Sequence, residues 1–469
     1  MNLDGQRVLV LGLGITGLSM ARWLSARGAC VGIADTREAP PGLDDVRAAL
    51  PEAQIALGPL QSASFDGIDL IAISPGVPRQ EPEVQAALGR GIEVVGDIEL
   101  FARSLDSLAH GFDRVRPRVL AITGSNGKST VTEMTGALCR GADLETLVAG
   151  NIGLPVLDAL ADIEQGRRAF PDVVVLELSS FQLESTSSLR PDAAVVLNVS
   201  EDHLDRYPDI LAYAAAKARI FRGAAVQIVN RDDPLARRLA QPDAPVWSFG
   251  LGMPGGEHVW GLLRNGEDYL AEGATRILPV TRLKLAGLHN AGNALAAMAL
   301  CRAIGLDYWP LATALEQFEG LPHRVQFVDT IAGRRFYDDS KGTNVGATAA
   351  ALNGMREPVV LIAGGDGKGQ DFTPLAPAVK AHARSVVLIG RDADRIAQAL
   401  AGTGVPVVRA MDMDSAVRSA FEASERGDSV LLSPACASFD MYRNYQHRAE
   451  VFRFAVGRLK EGEACSMPR

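Results

Sequence analysis

The middle of the chain reads VLAITGSNGKST over residues 119–130. The apolar run 119–122 predicts a strand buried on both faces, and the glycine-containing loop behind it leads into a helical stretch. Glycines let backbone N–H groups converge on phosphate oxygens, and the following helix presents its positive end to them. In such loops the lysine, here Lys128, meets the β- and γ-phosphates, and the hydroxyl of Ser129 ligates magnesium. We therefore predict an ATP site, although Ile122 stands where the general GxxxxGK[ST] pattern has its first glycine. The residues expected to contact ATP here are Gly124, Ser125, Asn126, Gly127, Lys128, Ser129 and Thr130.

The same pattern of a short apolar run that ends in glycines recurs at residues 8–14 and 359–367. Other apolar runs predict further buried strands, and helical stretches alternate with them, which is typical of doubly wound α/β folds. The further strands are expected at 31–34, 70–73, 173–176, 193–197, 226–229, 386–389 and 430–432. Helices are expected at 83–89, 130–139, 291–304 and 311–318. A glycine-rich, weakly alternating stretch at 250–282 predicts an antiparallel excursion.

The chain has 469 residues, which at about 150 residues per domain predicts three domains. A polar stretch at 104–118 suits a linker or connecting helix, and residues 320–324 form a turn. We place domains at 1–113, 114–320 and 321–469.

Composition and charge exclude several classes of protein. Apolar residues make up 47% and charged residues 22%, which is ordinary for a globular protein and excludes disordered and disulfide-scaffold classes. The net charge of −9 disfavours a nucleic-acid partner. The five cysteines form no metal-ligand spacing, and no apolar run approaches a membrane span, so we expect no membrane partner and a reducing, cytoplasmic location.

The N-terminal loop matches a dinucleotide fingerprint. Gly12, Gly14 and Gly17 form GxGxxG after a strand, and Asp35 follows the next strand, where its carboxylate can meet a ribose hydroxyl. The match predicts a βαβ unit that holds a diphosphate, but it does not specify nicotinamide, and a uridine diphosphate group would suit the same loop.

Two further polar residues follow predicted strands of the middle domain. Glu177 ends one buried strand, and His203 lies in the segment after the next strand. Because ligands of α/β sheets bind at the carboxyl edge of the strands, we expect both side chains near the phosphate loop. A carboxylate there would ligate magnesium.

Taken together, the motifs resemble those of the Mur ligase family. Nine blocks occur in the family's order and span the whole chain; they lie at residues 123–129, 150–153, 177–184, 198–205, 289–293, 321–324, 338–344, 364–368 and 433–438. The blocks Ser-Ser-Phe-Gln, Asp-Ser-Lys-Gly-Thr-Asn and Ser-Pro-Ala-Cys-Ala-Ser resemble the member that adds D-glutamate. They are less similar to those of the members that add alanine or diaminopimelate, or to those of folylpolyglutamate ligases.

The resemblance implies an α/β architecture of three domains: an N-terminal Rossmann-like domain for a uridine nucleotide, a central P-loop ATPase-type domain with a mostly parallel sheet, and a C-terminal Rossmann-like domain that closes over the site. It also implies the reaction. ATP would phosphorylate the carboxylate of UDP-N-acetylmuramoyl-L-alanine, and D-glutamate would attack the acyl phosphate. This is a cytoplasmic step of peptidoglycan precursor synthesis in the family, and we expect a monomer.

The resemblance also assigns roles near ATP. Ser129 and Glu177 match ligands of a first magnesium, and His203 matches a ligand of a second. Lys217 matches the family lysine that carries a carbamate, an oxygen donor for that second metal, although an isolated helical lysine is usually a solvated side chain. The positions that match other nucleotide contacts are Asn290, Asn293, Arg324 and Asp339, and Asn290 could also cap its helix.

Two more sets of residues follow from the match. The uridine nucleotide and sugar would contact Ile15, Thr16, Asp35, Thr36, Arg37, Ser74, Gly76, Asn151 and Ser179. The D-glutamate pocket would consist of Lys341, Thr343, Lys368, Ser438 and Phe439, and its cations and hydroxyls suit a dicarboxylate.

Two rival functions use only part of these motifs. A nicotinamide-dependent oxidoreductase would explain the N-terminal fingerprint but leave the loop at 124–130 without a purpose. A P-loop switch protein would hydrolyse ATP without ligation.

Overall fold

The computed structural model describes residues 3–203, 205–285, 287–355 and 357–466, and the side chains up to residue 463. Three separate sheets follow one another along the chain. This confirms the expected α/β class and its three domains.

The first sheet has five parallel strands in the order β3-β2-β1-β4-β5. The order reverses between β1 and β4, and in such folds the ligand cleft lies at that switch point. The strands are β1 (Arg7–Leu11), β2 (Cys30–Asp35), β3 (Gln54–Leu57), β4 (Leu70–Ile73) and β5 (Glu93–Val95). The helices are α1 (Ile15–Ser25), α2 (Leu43–Ala49), α3 (Pro82–Gly89) and α4 (Asp97–Gly111).

The second sheet has nine strands in the order β14-β13-β12-β11-β10-β9-β6-β8-β7. Only β12, β13 and β14 pair antiparallel, which confirms the expected excursion and places it at residues 259–279. The strands are β6 (Arg118–Thr123), β7 (Thr146–Gly150), β8 (Val173–Glu177), β9 (Ala193–Val196), β10 (Gln227–Asn230), β11 (Val246–Phe249), β12 (Val259–Asn265), β13 (Glu267–Glu272) and β14 (Thr275–Pro279). The helices are α5 (Lys128–Gly141), α6 (Val156–Glu164), α7 (Ser180–Glu184), α8 (Ile210–Ala218), α9 (Pro234–Arg237), α10 (Leu288–Ala303) and α11 (Tyr308–Gln317).

The third sheet has six strands in the order β15-β16-β20-β17-β18-β19, of which only β15 is antiparallel to its neighbour. The strands are β15 (Gln326–Ile331), β16 (Arg334–Asp338), β17 (Val359–Gly364), β18 (Ala383–Ile389), β19 (Val407–Arg409) and β20 (Ser429–Leu432). The helices are α12 (Val345–Gly354), α13 (Ala376–His382), α14 (Ala393–Leu400), α15 (Met413–Ala423) and α16 (Tyr445–Ser466).

The buried apolar runs form the centres of these sheets. Residues 119–122 of β6 and 359–362 of β17 are inaccessible to solvent, because helices cover both faces. A strand covered on both faces needs apolar side chains at successive positions, which is the pattern that predicted them. The polar stretch expected to be a connecting helix corresponds in part to α4, which begins seven residues before it, at Asp97.

The described helices include none long and apolar enough to cross a membrane. The cysteines at 30, 139, 301 and 436 are free thiols, and the side chain of Cys465 lies outside the described residues.

Candidate active site

The phosphate loop connects β6 to α5. Gly127 takes a positive φ of 82° at the start of the helix, and a Cβ there would come within 2.8 Å of the Asn293 side chain. The Lys128 ammonium donates to the carbonyls of Gly124 at 2.9 Å and Ser125 at 3.0 Å, so the lysine curls over its own loop. Burial lowers the pKa of Lys128, and nearby carboxylates oppose this shift.

The segment after β9, at residues 198–200, holds this loop in place through hydrogen bonds. The Asn198 side chain accepts from the Asn126 amide at 2.8 Å and donates to its carbonyl at 3.0 Å. The Ser125 hydroxyl donates to the Ser200 carbonyl and accepts from its amide, both at 3.0 Å. The sequence prediction did not assign Asn198 and Ser200 to the site, although both lie in the motif at 198–205 that carries His203.

Glu177 ends β8 with its carboxylate buried beside the loop. One carboxylate oxygen, Oε1, accepts from the side-chain amide of Asn151 at 2.9 Å. The other, Oε2, is buried and has no hydrogen-bond partner among the described residues. A buried anionic oxygen without a donor is stabilised by a cation, so this residue fits a metal ligand.

The surroundings of Glu177 suit magnesium better than a metal held entirely by protein. In the described part of the chain, no three side chains from His, Cys, Asp and Glu gather as a cage. Magnesium keeps several waters and takes one or two carboxylates together with phosphate oxygens. Ser129 is the first residue after Lys128 in α5, and its hydroxyl accepts a hydrogen bond from Lys341 at 3.0 Å.

His203 lies after β9 in a left-handed backbone conformation, with φ of 55°. Its ring packs edge-on against Phe181 with a centroid distance of 4.8 Å, and its Nε2 lies 3.7 Å from a carboxylate oxygen of Asp202. Burial lowers the pKa of His203, while Asp202 opposes the shift. The lowered pKa favours the neutral imidazole, which is the form that can ligate a metal.

Lys217 lies near the end of α8 and is 1% exposed. Its ammonium donates to the Gly124 carbonyl at 2.8 Å and lies 4.3 Å from the centre of the Tyr213 ring. Burial, aided by the charge of Lys128, lowers the pKa of Lys217 well below its ordinary value. A neutral amine is the form that reacts with carbon dioxide.

A cleft between the second and third domains lies beyond the loop and encloses about 70 Å³. Seven residues expected to contact ATP line it: Asn126, Gly127, Thr130, Asn290, Asn293, Arg324 and Asp339. His289 also lines the cleft. It belongs to the motif at 289–293, but the sequence prediction gives it no role. His289 Nδ1 and Arg324 Nε are buried and have no hydrogen-bond partner among the described residues.

Asp339 is buried at the edge of this cleft. Burial raises the pKa of its carboxyl group to about 7, although the Ser433 hydroxyl donates to it at 2.6 Å. Its charge is thus sensitive to what binds beside it.

A second cleft of about 540 Å³ opens at the switch point of the first sheet and is bordered by residues 150–155 and by Gln182 of the second domain. Eight of the nine residues expected to contact the uridine substrate line it: Ile15, Thr16, Asp35, Thr36, Arg37, Ser74, Gly76 and Asn151. The ninth, Ser179, caps α7 by accepting from the Gln182 amide at 3.2 Å. Gln182 lines the cleft in its place.

The Asp35 carboxylate is occupied within the protein. Its two oxygens accept from the Leu13 amide at 2.6 Å and from the amide and guanidinium of Arg37 at 2.6 to 2.9 Å. Burial alone would raise the pKa of Asp35, but these hydrogen bonds outweigh it and lower the pKa to about 2. All four lone-pair sites are used in this arrangement, so the carboxylate fixes the glycine loop, and a ribose hydroxyl would have to displace one of these donors.

The residues expected to bind D-glutamate follow three adjacent strands, β16, β20 and β17, at their carboxyl ends. Lys341 reaches the phosphate loop through its bond to Ser129, and burial lowers its pKa to about 8. Thr343 lies in the same turn, and its amide donates to the Lys341 carbonyl. Lys368 is exposed, Ser438 is buried, and Phe439 is 72% exposed. The side chain of Phe439 offers no polar group to an amino acid, and the assignment of all five residues stays a prediction.

The fold and these two clefts together define a three-domain α/β protein with a phosphate loop and two ligand clefts. Residues 6–96 match the Mur ligase MurD-like N-terminal domain, residues 122–301 the Mur ligase middle domain and residues 323–436 the Mur ligase glutamate ligase domain. The chain belongs to the Mur ligase family.

Individual relatives agree over almost the whole length. The UDP-N-acetylmuramoylalanine--D-glutamate ligase of Nitrosospira multiformis is 55% identical over 99% of this chain and 98% of its own. The enzyme of the same name from Thiobacillus denitrificans is 57% identical over 98% of both chains.

Solved structures show the same fold at lower identity. UDP-N-acetylmuramate-alanine ligase MurC from Thermotoga maritima has a TM-score of 0.59 and 20% identity, covering 97% of this chain and 99% of its own. A pseudomurein peptide ligase type C from Methanothermus fervidus has a TM-score of 0.58 and 18% identity, covering 97% and 100%.

Proposed function

We propose that this chain is the ATP-dependent ligase that joins D-glutamate to UDP-N-acetylmuramoyl-L-alanine through an acyl phosphate, a step of peptidoglycan precursor synthesis. The observation that carries this conclusion is the identity of 55% to 57% over nearly the whole chain with enzymes of that name.

The site residues make chemical sense of this reaction. A carboxylate is a poor electrophile, and transfer of the γ-phosphoryl group from ATP gives it a good leaving group. Negative charge develops on phosphoryl oxygens and then on a tetrahedral intermediate, so cations placed in advance stabilise both transition states. Lys128 and Lys341 meet at the phosphate loop and are suited to this role.

The metal ligands that we propose are the residues that match the family's motifs. Ser129 and Glu177 would hold one magnesium ion, and His203 with a carbamate on Lys217 would hold a second. When bound, the two ions would offset the repulsion between the γ-phosphate and the substrate carboxylate. The orphaned Glu177 oxygen, the neutral His203 and the depressed pKa of Lys217 support this assignment.

Each domain then has one task. We assign residues 1–113 to the uridine substrate, 114–320 to ATP, and 321–469 to D-glutamate and closure. The cleft of about 540 Å³ supports the first assignment, because it contains eight of the residues proposed for that substrate. Residues of a single chain supply both clefts, which supports a monomer. The need for ATP supports a reaction in the cytoplasm.

A product assay tests the function. Phosphate release should require UDP-N-acetylmuramoyl-L-alanine and D-glutamate together, and mass spectrometry should show one added glutamate on the nucleotide. A set of other amino acids, each supplied alone, serves as the control. Hydride transfer without ATP turnover, or ATP hydrolysis without ligation, would overturn the proposal.

A further inference from the structure

Arg206 lies three residues after His203, in a turn closed by a hydrogen bond from the Arg206 amide to the His203 carbonyl at 2.9 Å. Its side chain is only 10% exposed. A guanidinium remains charged at any physiological pH, so burying one requires compensating partners. Those partners belong to two different domains.

The edge of the guanidinium reaches the first domain. It donates to the carbonyl of Pro75 at 2.9 Å and to that of Val77 at 3.2 Å. Both residues line the cleft proposed for the uridine substrate, in the same loop as Ser74 and Gly76. The planar guanidinium of Arg206 therefore holds the backbone of the loop at 75–77 from outside the cleft.

The face of the guanidinium acts on the second domain. It lies 4.2 Å from the centre of the Phe181 ring, and that ring packs edge-on against His203 at 4.8 Å. Phe181 therefore contacts both Arg206 and His203 and restricts where the imidazole can turn.

The end of α7 completes the arrangement. Glu184 accepts from Arg206 at 3.4 Å and from the Tyr207 hydroxyl at 2.6 Å, which places a counter-charge beside the guanidinium. The Arg206 Nε is buried and has no hydrogen-bond partner among the described residues. An unpaired buried donor lowers the stability of the fold. The contacts with the two carbonyls, the Phe181 ring and Glu184 hold the guanidinium in this orientation in spite of that cost.

We propose that Arg206 is a positioning residue that fixes the loop at 75–77, and with it the bound uridine substrate, relative to His203. The inference rests on the proposed function. It has two separable arms: the carbonyl contacts act on substrate binding, and the contact with Phe181 acts on the phosphoryl-transfer step. A lysine could keep the charge beside Glu184, but it lacks the planar fork that reaches two carbonyls at once.

Two variants separate the arms. Arg206→Gln should weaken the binding of UDP-N-acetylmuramoyl-L-alanine about tenfold, measured by calorimetry without ATP or magnesium, and should lower kcat at least about tenfold because the reacting groups are misplaced. Its KM for ATP should stay within about twofold of the wild-type value. Phe181→Leu should leave substrate binding within about twofold but lower kcat about tenfold, because it affects only the His203 arm.

A matched control is available in the third domain. Arg334 donates to the carbonyls of Ser424 and Ala332 and lies 4.5 Å from the centre of the Phe421 ring, and it begins β16, whose other end carries the proposed site. Arg334→Gln removes the same kinds of contact and should leave both binding and kcat unchanged. If Arg206→Gln does not fold, Arg206→Lys decides the question: it should keep a thermal midpoint near that of the wild type and still weaken substrate binding.

Unchanged substrate affinity and kcat in Arg206→Gln, or in a folded Arg206→Lys, would overturn the inference. So would equal losses in Arg334→Gln. In either case a wild-type enzyme that adds glutamate leaves the proposed function standing, whereas a wild-type enzyme that adds none overturns the function itself.

Discussion

Among the described residues, the Lys128 ammonium donates hydrogen bonds to the carbonyls of its own loop, Gly124 and Ser125, at 2.9 and 3.0 Å. Burial of this charge is unfavourable, so its removal should change stability little. Lys128→Ala should lower kcat by about 10² to 10³, the usual loss when one preorganised charge is removed from a transition state. Phosphate release and thermal unfolding measure the two effects. Lys284→Ala, which removes an exposed ion pair with Glu319, serves as the control and should change neither. A Lys128→Ala enzyme with normal kcat would contradict the assignment.

Lys217 is buried next to the same loop, and its low pKa makes it a reactive amine. If it carries a carbamate, Lys217→Ala should lose at least about 10² in kcat and regain part of it when a short carboxylate such as acetate replaces the missing oxygen donor. Lys128→Ala should show no such rescue, because it lacks a cation. Full activity of Lys217→Ala without additive would show that no modified lysine is needed there.

Single residues also show how far the sequence could predict the site. Glu177 was placed correctly beside the loop because it ends a buried strand, and the carboxyl edge of a parallel sheet is a local rule. Asp35 lines the cleft where the fingerprint predicts it, while its contact with a ribose hydroxyl stays a prediction. The sequence could not show that its oxygens accept from the Leu13 amide and Arg37, because no spacing pattern specifies the orientation of those donors. Ser179 likewise caps α7, a role that depends on where the helix begins.

Helix α4 begins with a buried carboxyl group, that of Asp97. It accepts from the Gln182 side chain at 3.1 Å, and its other oxygen has no hydrogen-bond partner among the described residues. Burial raises the pKa of Asp97 from 3.8 to about 6, although hydrogen bonds oppose the shift. The folded state therefore binds the proton more tightly than the unfolded state does. The contribution of Asp97 to the free energy of unfolding is fully present below pH 3.8 and is lost as the pH rises through 6. The free energy of unfolding falls by about 3 kcal/mol over this range.

Asp97→Asn removes this ionisation with little change in shape. The variant should match the wild type in stability near pH 4 and exceed it by up to about 3 kcal/mol at pH 8. Scanning calorimetry of both proteins at several pH values measures the difference, which cancels the titration of other groups. A stability difference that does not change between pH 4 and pH 8 would contradict the raised pKa.

Local sequence patterns predict individual strands and helices close to where the structure has them, and the reasons are physical. Strand β4 was predicted at residues 70–73, where the structure has it, because four successive buried positions require apolar side chains. Helix α5 begins two residues before its predicted start, because Lys128 and Ser129 are polar residues that serve the phosphate loop. The order of strands in the sheets could not be predicted in this way, since pairing joins segments far apart in sequence: β6 lies between β8 and β9.

Sequence patterns predict little about the contacts between domains. The last prediction concerns the contact between the second and third domains. Two bonds join the phosphate loop to the third domain: Lys341 to Ser129 and Asn344 to Asn126, each at 3.0 Å. The cleft beside them encloses about 70 Å³, whereas pockets for small ligands usually measure about 300 to 1,000 Å³. We therefore expect the third domain to move away to admit ATP and then to close again over the bound nucleotide, with Lys341 turned from Ser129 to a phosphate oxygen.

The chain should consequently sample open and closed positions of the third domain in solution, with small-angle scattering as the measurement. Without ligands, the scattering should fit a mixture of the two positions. A non-hydrolysable ATP analogue together with UDP-N-acetylmuramoyl-L-alanine should shift that mixture toward the closed form, because Arg324 and Asp339 of the third domain line the nucleotide cleft. Lys128→Ala, which weakens the hold on the phosphates, should need more of the analogue for the same shift. Identical scattering with and without both ligands would mean that the third domain is fixed, and ATP would then have to enter by rearrangement of the loops alone.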